Sequence, residues 1–326
     1  MIRWGIAGSG FISHAMLKAI ALSDGSRAVS VYGRNAETRE ALMAEYDIER
    51  GTDTLEALVA DPEVDAIYIA LPNHLHRMAT ELAVAAGKDV LCEKSLTTTV
   101  ADAEALAEAV TTSGQFFVEG LMYTAHPIIK KLHAFLQRDD IGELRHVSGF
   151  YSADIWQVVN PAGKGTLYNL GCYPASLLHL TVQTMCGEEA FADRKLTALG
   201  NIRKDGNLQD TAATVRFSNG VLATLQSTDS YGMAHEFVIA TTTGTIRFDT
   251  NPWLPEGARN SFNWVPYEGH SEAIESDDPN DAFYHQVKMV EANLLKGTTE
   301  AERPSPRLKD SLEIMAFLNE WEAAAS

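Results

Sequence analysis

The sequence predicts an α/β protein in two parts, a doubly wound parallel sheet followed by an α+β domain with a large, mostly antiparallel open sheet. Three observations carry this expectation. Short apolar runs alternate with segments of helical period from residue 1 to about 121. Beyond that point strand-like runs dominate. Between two of those later runs, Ser218-Asn219-Gly220 is a hairpin turn, which joins antiparallel neighbours.

The elements follow in order. Ile2–Ala7 is an apolar strand broken by Gly8 and Gly10, and His14–Ala21 continues with helical spacing. Ala28–Tyr32 is a second strand and Ala36–Glu45 a helix. Leu55–Ala60 reads as a short helix capped by Asp53 or Thr54, whose side chains accept from free N–H groups. Val64–Leu71 is a third strand that Pro72 stops, and His76–Ala86 a helix that Gly87 closes. Asp89–Cys92, Val100–Ser113 and Phe116–Glu119 repeat strand, helix, strand. After a helix at Pro127–Gln137 come strands at Leu144–Ile155, Leu196–Ile202, Thr211–Phe217, Val221–Ser227 and Phe237–Phe248. Asn169–Cys186, Ala282–Leu295 and Arg307–Ala323 are the remaining helices, and Asn251–Asp281, rich in Pro, Gly and Asp, is expected to be irregular.

Bulk properties narrow the function. A chain of 326 residues exceeds one comfortable core, so two domains are expected, 1–121 and 122–326. A net charge of -18 argues against nucleic acid, whose phosphates need a basic face, and against an anionic membrane surface. No apolar run reaches the roughly 18 residues that span a bilayer. The N-terminus reads as a strand without signal-peptide layout, so a cytoplasmic setting is expected. Cys92, Cys172 and Cys186 lack the spacing of a zinc site or a disulfide framework, so no metal is expected.

Four segments carry chemistry. Gly8-Ser9-Gly10-Phe11-Ile12-Ser13 lies between the first strand and first helix, where glycines let a pyrophosphate approach the helix N-terminus. A bare G-x-G is weak, but strand–turn–helix is the context the motif demands. Ser13, in place of a third glycine, is small enough for close packing. At the end of the second strand, Tyr32-Gly33-Arg34-Asn35 holds no acid for a ribose 2′-hydroxyl, whereas Arg34 suits a 2′-phosphate. NADP is therefore expected, with NAD the alternative and a solvated Arg34 the plainer reading. Leu71-Pro72-Asn73-His74-Leu75-His76 follows the third strand and can line the nicotinamide side, or His76 simply caps and packs the next helix. Gly87-Lys88-Asp89-Val90-Leu91-Cys92-Glu93-Lys94 is a strand ending in an acid and a base, either a surface ion pair or a site for a substrate oxygen. In the second half, Asn169 and Tyr173 are four apart and share a helix face. A tyrosine beside Lys94 can serve as acid or base, because an ammonium favours phenolate; the bland alternative is a packed tyrosine.

With these segments the chain resembles the glucose–fructose oxidoreductase / inositol dehydrogenase / MocA family, on the branch of NADP-dependent D-xylose and dihydrodiol dehydrogenases. Glu119-Gly120-Leu121-Met122-Tyr123 and Asn169-Leu170-Gly171-Cys172-Tyr173 add to the match. The resemblance implies a Rossmann domain, a C-terminal domain whose open sheet forms a homodimer or homotetramer interface, and hydride transfer between nicotinamide and a sugar, cyclitol, polyol or diol. It also implies catalytic roles for Lys94 and Tyr173, with Glu93 the acidic partner of the lysine. His126, Trp156, Asn169 and His179 are further candidates for substrate contact, each with structural packing as the alternative. Two departures stand out: Ser95 replaces the proline of Glu-Lys-Pro, which loosens the constraint on Lys94, and Asn169 replaces an Asp, which removes a base. A non-catalytic cofactor or sugar sensor on the same fold, or a reductase of an imine or aromatic diol, stays open at this point.

Overall fold

The computed structural model describes residues 1–232 and 235–325, which fall into two compact units. The first comprises Met1–Met122 and Phe283–Leu312. Its six strands are β1 (Ile2–Ala7), β2 (Ser26–Tyr32), β3 (Arg50–Thr52), β4 (Ala66–Ile69), β5 (Asp89–Glu93) and β6 (Phe117–Gly120). They pair in parallel in the order β3-β2-β1-β4-β5-β6. The order reverses between β1 and β4, and ligands of such sheets bind beyond the carboxyl ends at that point. Helices α1 (Phe11–Ala21), α2 (Ala36–Tyr46), α3 (Leu55–Val59), α4 (His76–Ala85) and α5 (Val100–Ser113) connect the strands. β4 is buried at every residue, as expected of a strand with both faces covered.

Local chemistry explains the boundaries. Thr54 and Thr99 cap α3 and α5, accepting from the N–H groups of Ala57 and Asp102. Gly114 ends α5 in the left-handed conformation at φ 69°. β3 escapes sequence reading because Arg50-Gly51-Thr52 has no apolar pattern; its strand character comes from pairing with Ser30–Tyr32. The chain also returns to this unit late. Val287 and Val290 of α8 (Ala282–Lys296), with Ala301, join the core of Trp4, Ile6, Ile20 and Leu91. Glu291 fastens that return by accepting from Ser23 Oγ at 2.5 Å and Ser26 Oγ at 2.6 Å, and by pairing with Lys288.

The second unit comprises Tyr123–Ala282 and Glu313–Ser326. It contains α6 (Pro127–Phe135), α7 (Cys172–Cys186) and most of α9 (Leu308–Ala325). Its strands are β7 (Leu144–Ser152), β8 (Arg194–Ile202), β9 (Leu208–Phe217), β10 (Leu222–Thr228), β11 (Glu236–Thr241), β12 (Gly244–Phe248), β13 (Arg259–Pro266) and β14 (Glu272–Asp277). They form one sheet in the order β14-β13-β12-β11-β7-β10-β9-β8, antiparallel except where β10 pairs with β7. Residues Cys172–Gln183 of α7 are all buried, so this helix is covered on every side. The opposite face of the sheet is open, and β9 alternates buried and exposed residues accordingly.

Two expectations need correction. Phe237–Phe248 is two strands, because the chain turns at Thr241–Gly244, where Thr241 Oγ1 accepts from the N–H groups of Thr243 and Gly244 at 3.2 Å each. A threonine hydroxyl does there what Asn-Gly does at the other hairpin. Asn251–Asp281 is not wholly irregular: β13 and β14 lie within it, paired from Arg259↔Asp277 to Trp264↔Glu272. The polar composition of β14 suits the edge of the sheet, and the polar residues of both strands hide the strand pattern. No helix among the described residues is long and apolar enough to cross a membrane.

Candidate active site

In the first unit the glycine loop after β1 is closed where the chain needs glycine and open where a ligand needs room. Gly8 sits at φ 129°, and a Cβ there would lie 2.7 Å from Ala70 O. A Cβ at Gly33 would lie 2.6 Å from Ser9 Oγ. At Gly10, the N-cap of α1, an added Cβ would meet nothing within 4 Å among the described residues. Gly10 offers no capping side chain and the first turn of α1 holds no acid, leaving its positive end for an anion. Phe11 is exposed and Ile12 half-buried beside it. Ser13, expected only to be small, is buried and donates to Gly8 O at 2.8 Å, fastening the loop. These residues fit a dinucleotide pyrophosphate.

Beyond β2, Arg34 is exposed between Gly33 and Asn35, which caps α2 by accepting from Thr38 N–H. Ser9 Oγ and Thr38 Oγ1 are 2.9 Å apart, and Arg39 donates to Gly33 O at 2.8 Å. Arg39 is a second guanidinium beside this strand end that the sequence reading did not single out. Leu71, Pro72 and Asn73 are half-buried after β4. His76 is fully buried, with Nε2 2.8 Å from Leu71 O and Nδ1 3.0 Å from Ser95 O. Burial pulls its pKa down to about 4 despite those carbonyls, so the ring is neutral near pH 7. His76 thus ties the loop after β4 to the turn after β5.

The end of β5 is held from several sides. Glu93 is buried and accepts from Tyr68 Oη at 2.6 Å and from the Lys94 backbone N–H at 3.3 Å. Burial pushes its carboxyl up, against the Lys94 charge and the Tyr68 hydroxyl. Lys94 itself is half-buried at the strand end. Ser95 and Leu96 are each 1% exposed, and Leu96 N–H donates to Glu119 Oε1 at 2.8 Å. The Lys94–Ser95 peptide bond is cis. Where the sequence lacks the proline, the turn is buried and hydrogen-bonded through Leu96 N–H. Burial pushes Glu119 up to about 7, opposed by the Ser311 hydroxyl and Leu96 N–H and reinforced by Glu93.

In the second unit Tyr173 is 5% exposed at the start of α7, inside an aromatic nest. Its ring centroid lies 5.1 Å from Tyr151, 5.8 Å from Tyr123 and 6.4 Å from Trp253. The segment before it, Leu167–Gly171, is a wide π turn, so Asn169 precedes Tyr173 across a broadened helix start. Near Asn169 lies Asp229, a fully buried carboxylate that accepts from Arg203 Nη2 at 3.0 Å on both oxygens. Burial pushes Asp229 up while Arg203 and Asn169 pull it down. Trp156 is 45% exposed with the Arg203 guanidinium 5.5 Å from its ring. Asp229 and Arg203 had no motif to announce them.

The remaining candidates have structural partners. His126 is fully buried and its Nδ1 caps α6 by accepting from Ile128 N–H at 3.2 Å. His179 is 2% exposed, 2.7 Å from Glu313 Oε2, with its ring against Phe191 at 4.7 Å.

Comparisons with known proteins bear on both units. A family model described as "Oxidoreductase family, NAD-binding Rossmann fold" matches residues 2–121, and "GFO/IDH/MocA C-terminal domain" matches residues 129–247. The 1,5-anhydro-D-fructose reductase of Ensifer adhaerens is 30% identical over 241 residues, 68% of each chain. Trans-1,2-dihydrobenzene-1,2-diol dehydrogenase of Xenopus tropicalis is 23% identical over 98% of this chain and 96% of its own. KijD10, a 3-ketoreductase from Actinomadura kijaniata solved with NADP and TDP-benzene, aligns with a TM-score of 0.85 at 22% identity, covering 99% of this chain and 98% of that one. At that identity the likeness to KijD10 is one of fold.

Proposed function

This chain belongs to the GFO/IDH/MocA family of NAD(P)-dependent oxidoreductases, and on that premise we propose that it is an NADP-preferring enzyme acting on a carbinol or carbonyl carbon of a sugar, cyclitol or diol. The nicotinamide supplies or accepts the hydride. The observation that carries the reading is the strand end at Glu93-Lys94, fixed at the carboxyl edge of the same parallel sheet as the glycine loop, which is open at Gly10. Gly8, Ser9, Gly10, Phe11, Ile12, Gly33, Arg34, Leu71, Pro72 and Asn73 are the residues for the cofactor. Arg34, exposed with no acid from Tyr32 to Asn35, supports NADP over NAD. The names of the diol and anhydrofructose relatives support the substrate class.

In this reading Tyr173 exchanges the hydroxyl proton of the substrate, and Lys94 holds the substrate oxygen and stabilises the phenolate. Glu93 acts through the backbone, holding the Lys94 N–H while Tyr68 holds its carboxyl. Asn169 accepts or donates a hydrogen bond to a substrate hydroxyl and cannot act as a base. The open face of the sheet, with Leu199 84% and Leu222 43% exposed, is the surface for a homodimer or homotetramer in a cytoplasmic protein. The test is a screen of aldoses, ketoses, polyols and diols with NADP or NADPH, read by nicotinamide absorbance. Turnover is expected, and Tyr173→Phe should lower it by about 10²–10⁴-fold. Binding of cofactor and sugar without turnover overturns the enzymatic reading in favour of a sensor.

A further inference from the structure

We propose that Glu119 is a positioning residue for Lys94, acting through the backbone of the turn that follows it. The inference rests on the reading of Lys94 given above and adds a residue to it. β6 lies beside β5 with Cys92 opposite Glu119 and Glu93 opposite Gly120. Gly120 permits that approach: a Cβ there would stand 3.1 Å from Cys92 O and 3.2 Å from Glu93 Cα. The close pairing brings the Glu119 side chain under the turn, where Oε1 accepts the Leu96 N–H at 2.8 Å.

Lys94 is thereby bracketed. On its N-terminal side the Glu93 carboxyl accepts the Lys94 N–H, and Tyr68 anchors that carboxyl. On its C-terminal side Glu119 fixes the chain two residues on. Ser95 between them has no ring to restrict its φ, so the constraint must come from outside the turn. Glu119 and Leu96 are 2% and 1% exposed, so no water replaces a lost acceptor cheaply. A carboxyl costs more to bury than an amide or an alkyl group would. Its presence under a functional turn marks a position where an acceptor aimed at one N–H is worth that cost.

A double-mutant cycle between Glu119→Ala and Lys94→Ala tests this, with kcat, KM and NADPH Kd measured on the full-length chain. Displacing a reacting group by about 1 Å costs about 10²-fold, so Glu119→Ala should lower kcat by about tenfold to a hundredfold. NADPH Kd should change by less than about threefold, because Leu96 does not belong to the glycine loop. Glu119→Gln keeps an acceptor for Leu96 N–H and should recover kcat to within about threefold of the parent. In the Lys94→Ala background Glu119→Ala should cost nothing further. Equal losses in both backgrounds, or failure of Glu119→Gln to rescue, overturn the positioning role while leaving Lys94 in place. Near-normal turnover in Lys94→Ala alone refutes the reading of Lys94 instead. Should Glu119→Ala not fold, Glu119→Asp, one methylene short of Leu96, enters the same cycle and is read by the same outcomes.

Discussion

Glu119→Gln should make the protein more stable at alkaline than at acid pH relative to the parent. Burial raises the Glu119 carboxyl from 4.5 to about 7. Below about pH 4.5 the group is protonated in both folded and unfolded chains and contributes no difference. Between about 4.5 and 7 the unfolded chain releases its proton while the folded chain keeps it, so parental stability falls as pH rises. The full difference corresponds to about 3 kcal/mol, reached above about pH 7. The amide of Gln does not titrate and carries no such slope. Glu93, also raised by burial, slopes the same way and is present in both proteins. Urea unfolding without cofactor, followed at several pH values by tryptophan fluorescence and by circular dichroism, reads the difference. A parent-minus-variant difference that stays constant from about pH 4.5 to about pH 8 refutes the assignment of a buried, raised carboxyl at this position.

Two other outcomes follow from the cofactor loop. Arg34→Ala should lower the NADP-to-NAD affinity ratio by about tenfold to a hundredfold, the worth of a charge-assisted hydrogen bond, with NAD affinity little changed; isothermal titration checks it, and equal affinities in the parent refute the preference. Gly10→Ala adds a methyl that meets no protein atom within 4 Å among the described residues, at a φ of -92° that any residue adopts. The thermal midpoint should stay put while NADPH Kd rises by about tenfold or more; unchanged affinity contradicts the cradle.

Local chemistry made much of this fold legible. Ile2–Ala7 and Val100–Ser113 coincide with β1 and α5 because apolar period, a capping Thr99 and a terminal Gly114 agree with one another. What escaped depends on distant partners. Arg50–Thr52 becomes a strand only beside β2, and the Thr241 turn is made by a side chain that carries no strong turn signature. Glu291 finds Ser23 and Ser26 more than 260 positions away, which no local pattern foretells. At the site, the glycine loop and Glu93-Lys94 are contiguous motifs and were legible as such. His76, His126 and His179 were attractive as titratable residues, yet burial and hydrogen-bond partners give each a structural tie. Glu119 stood inside a recognised segment, but its grip on Leu96 exists only because β6 pairs with β5. Asp229, which meets Asn169 from 60 residues away, had no sequence signal.

The central claim concerns Lys94 as the electrostatic partner of proton exchange in a nicotinamide-dependent hydride transfer. Its direct test is the rate of hydride transfer in Lys94→Ala, followed by nicotinamide absorbance in single turnover, with NADPH Kd measured on the same protein. The account predicts a rate lower by about 10²-fold or more with Kd within about threefold of the parent. A near-parental rate, or a loss accounted for wholly by weaker NADPH binding, contradicts it.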